Sequence, residues 1–390
     1  MELELTEEQS WISESIDALL SREWVAPQDV ATATGERRRR VWTALVAFGA
    51  LGIGGRTAGG DEGGLEAVEL CLIARALGSH LASLPFLGSA AVRLALAPQA
   101  GSLPLGLAGL LSSQDAIAIA LLEAGSGWTV ERAGTRLARG SDGLNIRGEK
   151  VSIDQLQAVD QLAVVATLDG KPALAVTPAG AAGLTRHAQR CFDQTVPMGT
   201  ARFDAVPVPG SRVLGGPEAR QVLQRLMTAG SLLTAAEAVG AAGHILELAC
   251  RYAGERRQFG RTIGSFQALR HILADAYVRQ QSGWSAVRYA AAAFDEGDPE
   301  AAQAASIAKA YVSRGAQEVA HSAMQVFGGI AFTAEHPAHR FLRRIGVRAQ
   351  QFGDAAHHER RLGRELAERA VRARPVLAQA SPVPTQASLA

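Results

Sequence analysis

The chain has 390 residues, of which 47% are hydrophobic and 20% charged, with a net charge of +1. That length supports two or three domains around a large core, and the near-neutral balance argues against a nucleic-acid or anionic-membrane partner. Cys71, Cys191 and Cys250 are far apart and odd in number, which speaks against a disulfide framework and for free thiols in a reducing cytosol.

Residues 1–20 carry Glu2, Glu4, Glu7 and Glu8 and do not read as a signal peptide. No apolar run reaches the roughly 18 residues of a spanning helix, so a cytoplasmic protein is expected. No Cys/His cluster has metal spacing. From residue 1 to about 114 the pattern is helical. Thr6-Glu7-Glu8-Gln9 supplies a cap and an acidic first turn. Glu36 to Arg40 is a dense basic run that reads as a solvated helix start. Val41, Ala44, Leu45 and Phe48 recur at helical spacing. Gly52 to Gly64 is a glycine-rich loop, Glu66 to Leu77 is again helical, and Leu84-Pro85-Phe86 and Leu103-Pro104 interrupt the pattern.

From 115 to 215 the period changes. Ala116–Leu122, Leu162–Ala166, Pro172–Val176 and the partly alternating Ala201–Val208 are strand candidates, with a turn signal at Asp142-Gly143. A compact antiparallel β-domain is expected. Beyond Pro217, a residue suited to a first helical position, four long amphipathic helices are expected at about 217–253, 265–295, 299–326 and 354–373. That is the count of a helix bundle, and Ser265 is positioned to cap its second helix. The tail 375–390 lacks periodicity and reads as disordered.

Two segments of the last third carry chemistry. The first is Arg256-Arg257-Gln258-Phe259-Gly260 followed by Phe266-Gln267, and the second is Gln325-Val326-Phe327-Gly328-Gly329. Taken singly, Arg256 is a surface arginine and Phe259 a core phenylalanine. Together, and with Ile330 to Pro337 following, they resemble the flavin-pyrophosphate signatures of the acyl-CoA dehydrogenase family. Arginine grips a pyrophosphate bidentately, and paired glycines let backbone approach a dinucleotide. Gly52–Gly64, Arg147–Val151 and Val159–Leu162 are weaker echoes of the same family.

The resemblance implies an α+β fold in three parts: an N-terminal helical domain (1–114), a central antiparallel β-domain (115–215) and a C-terminal four-helix bundle (216–374). It implies FAD as cofactor, held by Arg256, Gln258, Phe259, Gln267, Gln325, Gly328 and Gly329. It also implies α,β-dehydrogenation of an acyl-CoA thioester, with an electron-transferring flavoprotein taking the electrons. In this family two subunits share each flavin, and the Arg…Gln and Gln…Gly-Gly segments serve the neighbour's.

The chain departs from the family where its own flavin ring should sit. The Thr-Glu-Pro and Gly-Ser segment reads Leu122-Glu123-Ala124-Gly125-Ser126-Gly127-Trp128, and the Trp-Ile-Thr segment reads Ser152-Ile153-Asp154. Counting on from Gly328-Gly329, the usual catalytic glutamate is Phe352, followed by Gly353. The alternative place, used by some relatives, falls near Gly230, and Glu237 lies two turns away. Asp354 is the remaining candidate base, though its place at a helix start suits a cap. His357 and His358 follow it as surface or interface residues. A helper subunit is therefore expected, paired in an α2β2 heterotetramer with a homologous catalytic subunit that acts on a steroid side-chain or other bulky acyl-CoA. The alternatives are a self-sufficient homotetramer using Asp354 and a flavin-free scaffold.

Overall fold

A computed structural model of the chain describes residues 4–52, 64–131, 133–140 and 143–377, with backbone only for Ala31 and 372–377. Most of the glycine-rich loop, Asp142 of the expected turn and residues 378–390 of the expected tail lie outside the described residues.

The first helix, α1 (Glu7–Glu23), begins where the sequence places it. Thr6 Oγ1 accepts from Gln9 N–H, and the Gln9 side chain accepts from Thr6 N–H. Ile12, Ile16 and Leu20 recur every four residues and face the core. Next come α2 (Gly35–Ala47), α3 (Ala67–Ser79), α4 (Phe86–Leu96) and α5 (Leu105–Ser112), with Pro85 and Pro104 standing just before the last two.

The middle of the chain forms β1 (Ile117–Ala120), β2 (Arg136–Gly140), β3 (Gly143–Asp154), β4 (Gln161–Leu168), β5 (Lys171–Pro178), β6 (Leu184–Gln189), β7 (Met198–Val208) and β8 (Val213–Leu214). They make one eight-stranded sheet in the order β6-β7-β3-β2-β4-β5-β8, with β1 also beside β4. Most pairs are antiparallel as expected, but β1 and β2 both run parallel to β4. Leu162–Ala166 of β4 is buried without alternation, and such a run does not reveal the direction of its neighbours. Strands β2 and β6 are largely exposed and polar, so no hydrophobic signal announces them.

Helices return with α6 (Gly216–Glu255), α7 (Gln267–Asp295), α8 (Ala301–Phe327), α9 (Ala338–Gln350) and α10 (Ala355–Leu377). The described residues thus add one helix, α9, to the four expected. Its inward stripe includes Phe341, Arg344, Ile345 and Arg348, so its core face reads as charge rather than as apolar spacing. Ser265 does not cap α7; its Oγ donates to Thr262 C=O in the preceding turn, and Phe266 stands at the cap without a side-chain bond. Helix α6 is long and apolar enough to span a membrane, but 78% of its apolar 18-residue window is buried in the protein. It packs so closely on α3 that a Cβ at Gly78 would lie 2.0 Å from Glu237 O, and one at Gly240 2.0 Å from Arg75 O. Glycine is required at both.

The N-terminus of α3 is capped from 228 residues away by Asp295, whose carboxylate accepts from Ala67 and Val68 N–H at 2.7 and 3.0 Å. Burial, with Glu66 and Glu69 nearby, raises the Asp295 carboxyl from 3.8 to about 7, against those two bonds. A carboxyl raised on folding contributes stability below its unfolded pKa that is lost as pH rises through its folded pKa. Melting temperature is therefore expected to fall between about pH 4 and pH 7, and Asp295→Asn to flatten that part of the profile. An unchanged slope in the variant would show that Asp295 does not carry it.

Candidate functional site

The two counted positions for a catalytic carboxylate meet in space. A Cβ built on Gly230 would lie 2.3 Å from Cε1 and 2.4 Å from Cδ1 of Phe352. They are 122 residues apart in sequence, and neither carries an acid. Phe352 is buried, at φ 58, and its ring stacks on Trp128 at 5.6 Å between centroids. The space between the sheet, α4 and Phe352 retains about 40 Å³ for the centres of water molecules, room for a few waters. Ligand pockets are typically about 300–1,000 Å³. A three-ring flavin does not fit beside this side chain pair.

Polar groups close the same cleft. Asp154, where the family places a flavin-facing hydroxyl, is paired with Arg348 at 2.6 Å, and Arg348 also donates to Gln351 Oε1 at 2.6 Å. Behind them Glu237 Oε1 lies 3.0 Å from Arg344 and 2.9 Å from Arg348, while Arg344 reaches Asp193 at 2.6 Å and Thr195 Oγ1 at 2.8 Å. Burial opposes the charge on Arg348, yet Glu237 and Asp154 raise its pKa above the ordinary arginine value. Likewise, burial opposes ionisation of Asp193, but Arg344 holds its carboxyl below the usual range. Glu237 is a structural ion-pair partner here, not a free base.

Glu123 is also committed: it accepts from Gly134 and Thr135 N–H at 2.7 Å each and pairs with Lys150 at 2.8 Å. Burial works against its charge, but these bonds hold its carboxyl at about 2. Beside the cleft, burial brings Lys309 down to about 7, with Arg348 adding to the fall, and its Nζ donates to Thr234 Oγ1 at 3.0 Å.

Asp354 lies outside this cavity. Its Oδ1 accepts from His357 N–H at 2.7 Å, and its carbonyl accepts from His358 N–H, which is the geometry of a cap on α10. The His358 ring is buried and bonds Phe352 O at 3.1 Å; burial, then Lys309, bring it down to about 3. His357 is half-buried.

The segments Arg256–Gln267 and Gln325–Gly329 are arranged quite differently. Tyr252 near the end of α6 touches Phe327 at the end of α8, ring centroids 5.5 Å apart. One end of the bundle therefore carries both segments. There β9 (Arg257–Gln258) and β10 (Arg261–Thr262) form a hairpin whose two turn residues, Phe259 and Gly260, have φ 52 and 79. Two positive φ values define a type I′ turn, which favours Asn-Gly. Phenylalanine there is strained, and it is 92% exposed. Arg261 stacks over Phe266 at 4.0 Å, and Arg257 donates to Gly260 O. The Arg256 guanidinium has no partner among the described residues. Gln258, Gln267, Gln325, Gly328 and Gly329 are all exposed, and a Cβ at Gly328 or Gly329 would meet open space. These residues fit a pyrophosphate presented from outside the chain, as the residues of the cleft do not fit a flavin ring.

Trp128 was visible in the sequence as a departure, but its stacking partner was not. Arg344 and Arg348 gave no signal, because arginine is seldom fully buried.

Residues 220–368 match the family profile described as acyl-CoA dehydrogenase, C-terminal domain. The acyl-CoA dehydrogenase IpdE2 of Mycolicibacterium smegmatis is 36% identical over 169 residues, 43% of this chain. The chain thus matches about half of that relative's length, 51%. The ChsE4–ChsE5 complex of Mycobacterium tuberculosis contains a chain that superposes with a TM-score of 0.81 at 26% identity, covering 94% of this chain and 99% of that one. A chain of the Tcur3481–Tcur3483 steroid ACAD (G363A variant) does so with a TM-score of 0.81 at 27% identity and the same coverage. Residues 220–368 thus match an acyl-CoA dehydrogenase C-terminal domain, and the three-part fold of the chain is that of acyl-CoA dehydrogenases.

Proposed function

We propose that this chain is one subunit of an acyl-CoA dehydrogenase and completes the FAD site of a homologous catalytic subunit rather than one of its own. The observation that carries this reading is the contrast within one molecule. The cleft for a flavin ring is filled by Phe352 and Trp128, while the segments able to face a neighbour's cofactor stand exposed and preformed.

FAD is the cofactor. When bound it supplies the acceptor for the substrate's β-hydride. This chain would contribute Arg256 to the pyrophosphate by charge-assisted bonds, Gly328-Gly329 as a close backbone surface, and Phe259 as an apolar tip against the partner. Proton abstraction falls to the partner, since Gly230 and Phe352 offer no carboxylate and Asp354 is engaged as a cap. The similar structures built from two different chains, one of them a steroid ACAD, support an α2β2 assembly and a bulky acyl-CoA such as a steroid side chain. An electron-transferring flavoprotein is the proposed electron outlet.

The test is flavin absorbance per chain. The isolated protein is expected to be colourless, and co-expression with a homologous acyl-CoA dehydrogenase chain to yield about one flavin per pair. One flavin per chain in the isolated protein would sink the reading. In the complex, Arg256→Ala is expected to weaken flavin retention about tenfold or more, since a charged hydrogen bond is worth about 1.5–3 kcal/mol. Unchanged flavin content would remove Arg256 from the pyrophosphate.

A further inference from the structure

The residual cleft against Phe352 is mostly apolar. Ile117, Ile119 and Leu121 recur every second residue along β1 and just beyond it, and Leu87 of α4 and Val151 of β3 complete that lining. Helix α4 lies so close to β1 that a Cβ at Gly88 would fall 2.4 Å from Ile117 O, which leaves this wall little room to shift.

Asp154 and Gln155 supply the polar part. Each is clamped through one of its two polar atoms. Arg348 donates to Asp154 Oδ2 at 2.6 Å, and Gln155 Nε2 donates to Ser83 Oγ at 2.7 Å. The other atom of each, Asp154 Oδ1 and Gln155 Oε1, is buried and has no hydrogen-bond partner among the described residues. Gln155 as a whole is 3% exposed. Neither oxygen can turn to a new partner without giving up the bond that fixes its side chain. Buried acceptors held in this way call for a donor. Gln351 also lines the cleft, and with its Oε1 taken by Arg348 its amide N–H2 can meet an oxygen on the same ligand. Behind these groups Arg344, Arg348 and Lys309 stand against Asp154, Asp193 and Glu237, three charges against three while Lys309 keeps its proton. A neutral donor suits that balance.

We infer that this cleft, closed to a flavin, is a site for a small neutral molecule: a hydroxyl donor on a compact apolar body. The space of about 40 Å³ for water centres limits it to about three to five heavy atoms. Water alone suits the cleft less well, because each buried water takes about two to four polar partners and most of this wall offers none. Trp128 is half-buried and also lines the wider groove beside α10, so its rotation is the route of entry. The inference goes beyond the shared-cofactor reading and does not depend on it.

The test is methyl NMR of the full chain at pH 6, read at Ile117 and Ile119, with propan-2-ol and acetone as probes. The two share one heavy-atom skeleton, but only the alcohol donates. Propan-2-ol is expected to bind saturably and at least about tenfold more tightly than acetone, because a ketone leaves both oxygens unpaired. Asp154→Asn keeps an oxygen for Arg348 and turns an amide N–H2 to the cleft, and it is expected to erase that preference. If this variant does not fold, the comparison on the native chain still decides. Equal affinities would reduce the cleft to an apolar void, and no saturable shift from either probe would leave it to water; either result overturns the inference. Tighter binding of isopropylammonium than of propan-2-ol would overturn it too, by making this a cation site.

Discussion

Replacing Glu237 by alanine is expected to destabilise the protein by about 3–5 kcal/mol, the cost of breaking a buried ion pair from one side. Both carboxylate and partners are inaccessible: side-chain exposure is 2% for Glu237, 0% for Arg344 and 2% for Arg348. Losing Glu237 leaves two buried guanidinium groups, each with only one remaining carboxylate, Asp193 for Arg344 and Asp154 for Arg348. The network ties α6 and α9 to the β-domain, so the loss should appear as a lower denaturant midpoint for the whole chain. The exposed pair Arg139–Asp169, with both side chains at least 70% exposed, is the comparison, and Asp169→Ala should leave the midpoint within error. Equal effects from the two variants would mean that the buried network is not what holds the domains.

Gly230→Ala is expected to cost about 1–3 kcal/mol, the usual range for overpacking a filled core. The added methyl would fall 2.3–2.6 Å from three atoms of the Phe352 ring, and Trp128 behind that ring limits its retreat. Phe352→Leu should relieve the clash. The double variant G230A/F352L is then expected to be more stable than the sum of the single changes by about 0.5–3 kcal/mol. Strict additivity in chemical denaturation would show that these positions do not touch. Neither single variant is expected to gain flavin, because Asp154 and Arg348 still close the cleft.

Much of the fold was legible from residue pattern. The Thr6 cap, the helical spacing of Val41, Leu45 and their neighbours, the apolar β4 and β5 runs and Pro217 each acted through local chemistry that tertiary contacts did not overrule. What escaped was polar on the page. Helix α9 buries Arg344 and Arg348, so its inward stripe looked like surface. Strands β2 and β6 have few apolar residues, and the direction of β1 and β2 against β4 depends on how the chain returns across the sheet.

The candidate site divides along the same line. Arg256, Phe259, Gln325 and Gly328-Gly329 form short contiguous segments, and their chemistry could be read directly because each works through its own exposed groups. The absence of a carboxylate at Gly230 and at Phe352 was equally readable. By itself, then, the sequence determined the resemblance to acyl-CoA dehydrogenases, the short arginine and glycine segments and the lack of a carboxylate at the two counted positions. Only the tertiary structure decided that the cleft is filled rather than vacant. That outcome depends on a ring at 352 meeting a bare glycine at 230, on Trp128 closing over it, and on Arg348 compensating Asp154 across 194 residues. Contacts between such distant positions arise from packing, and no local period records them.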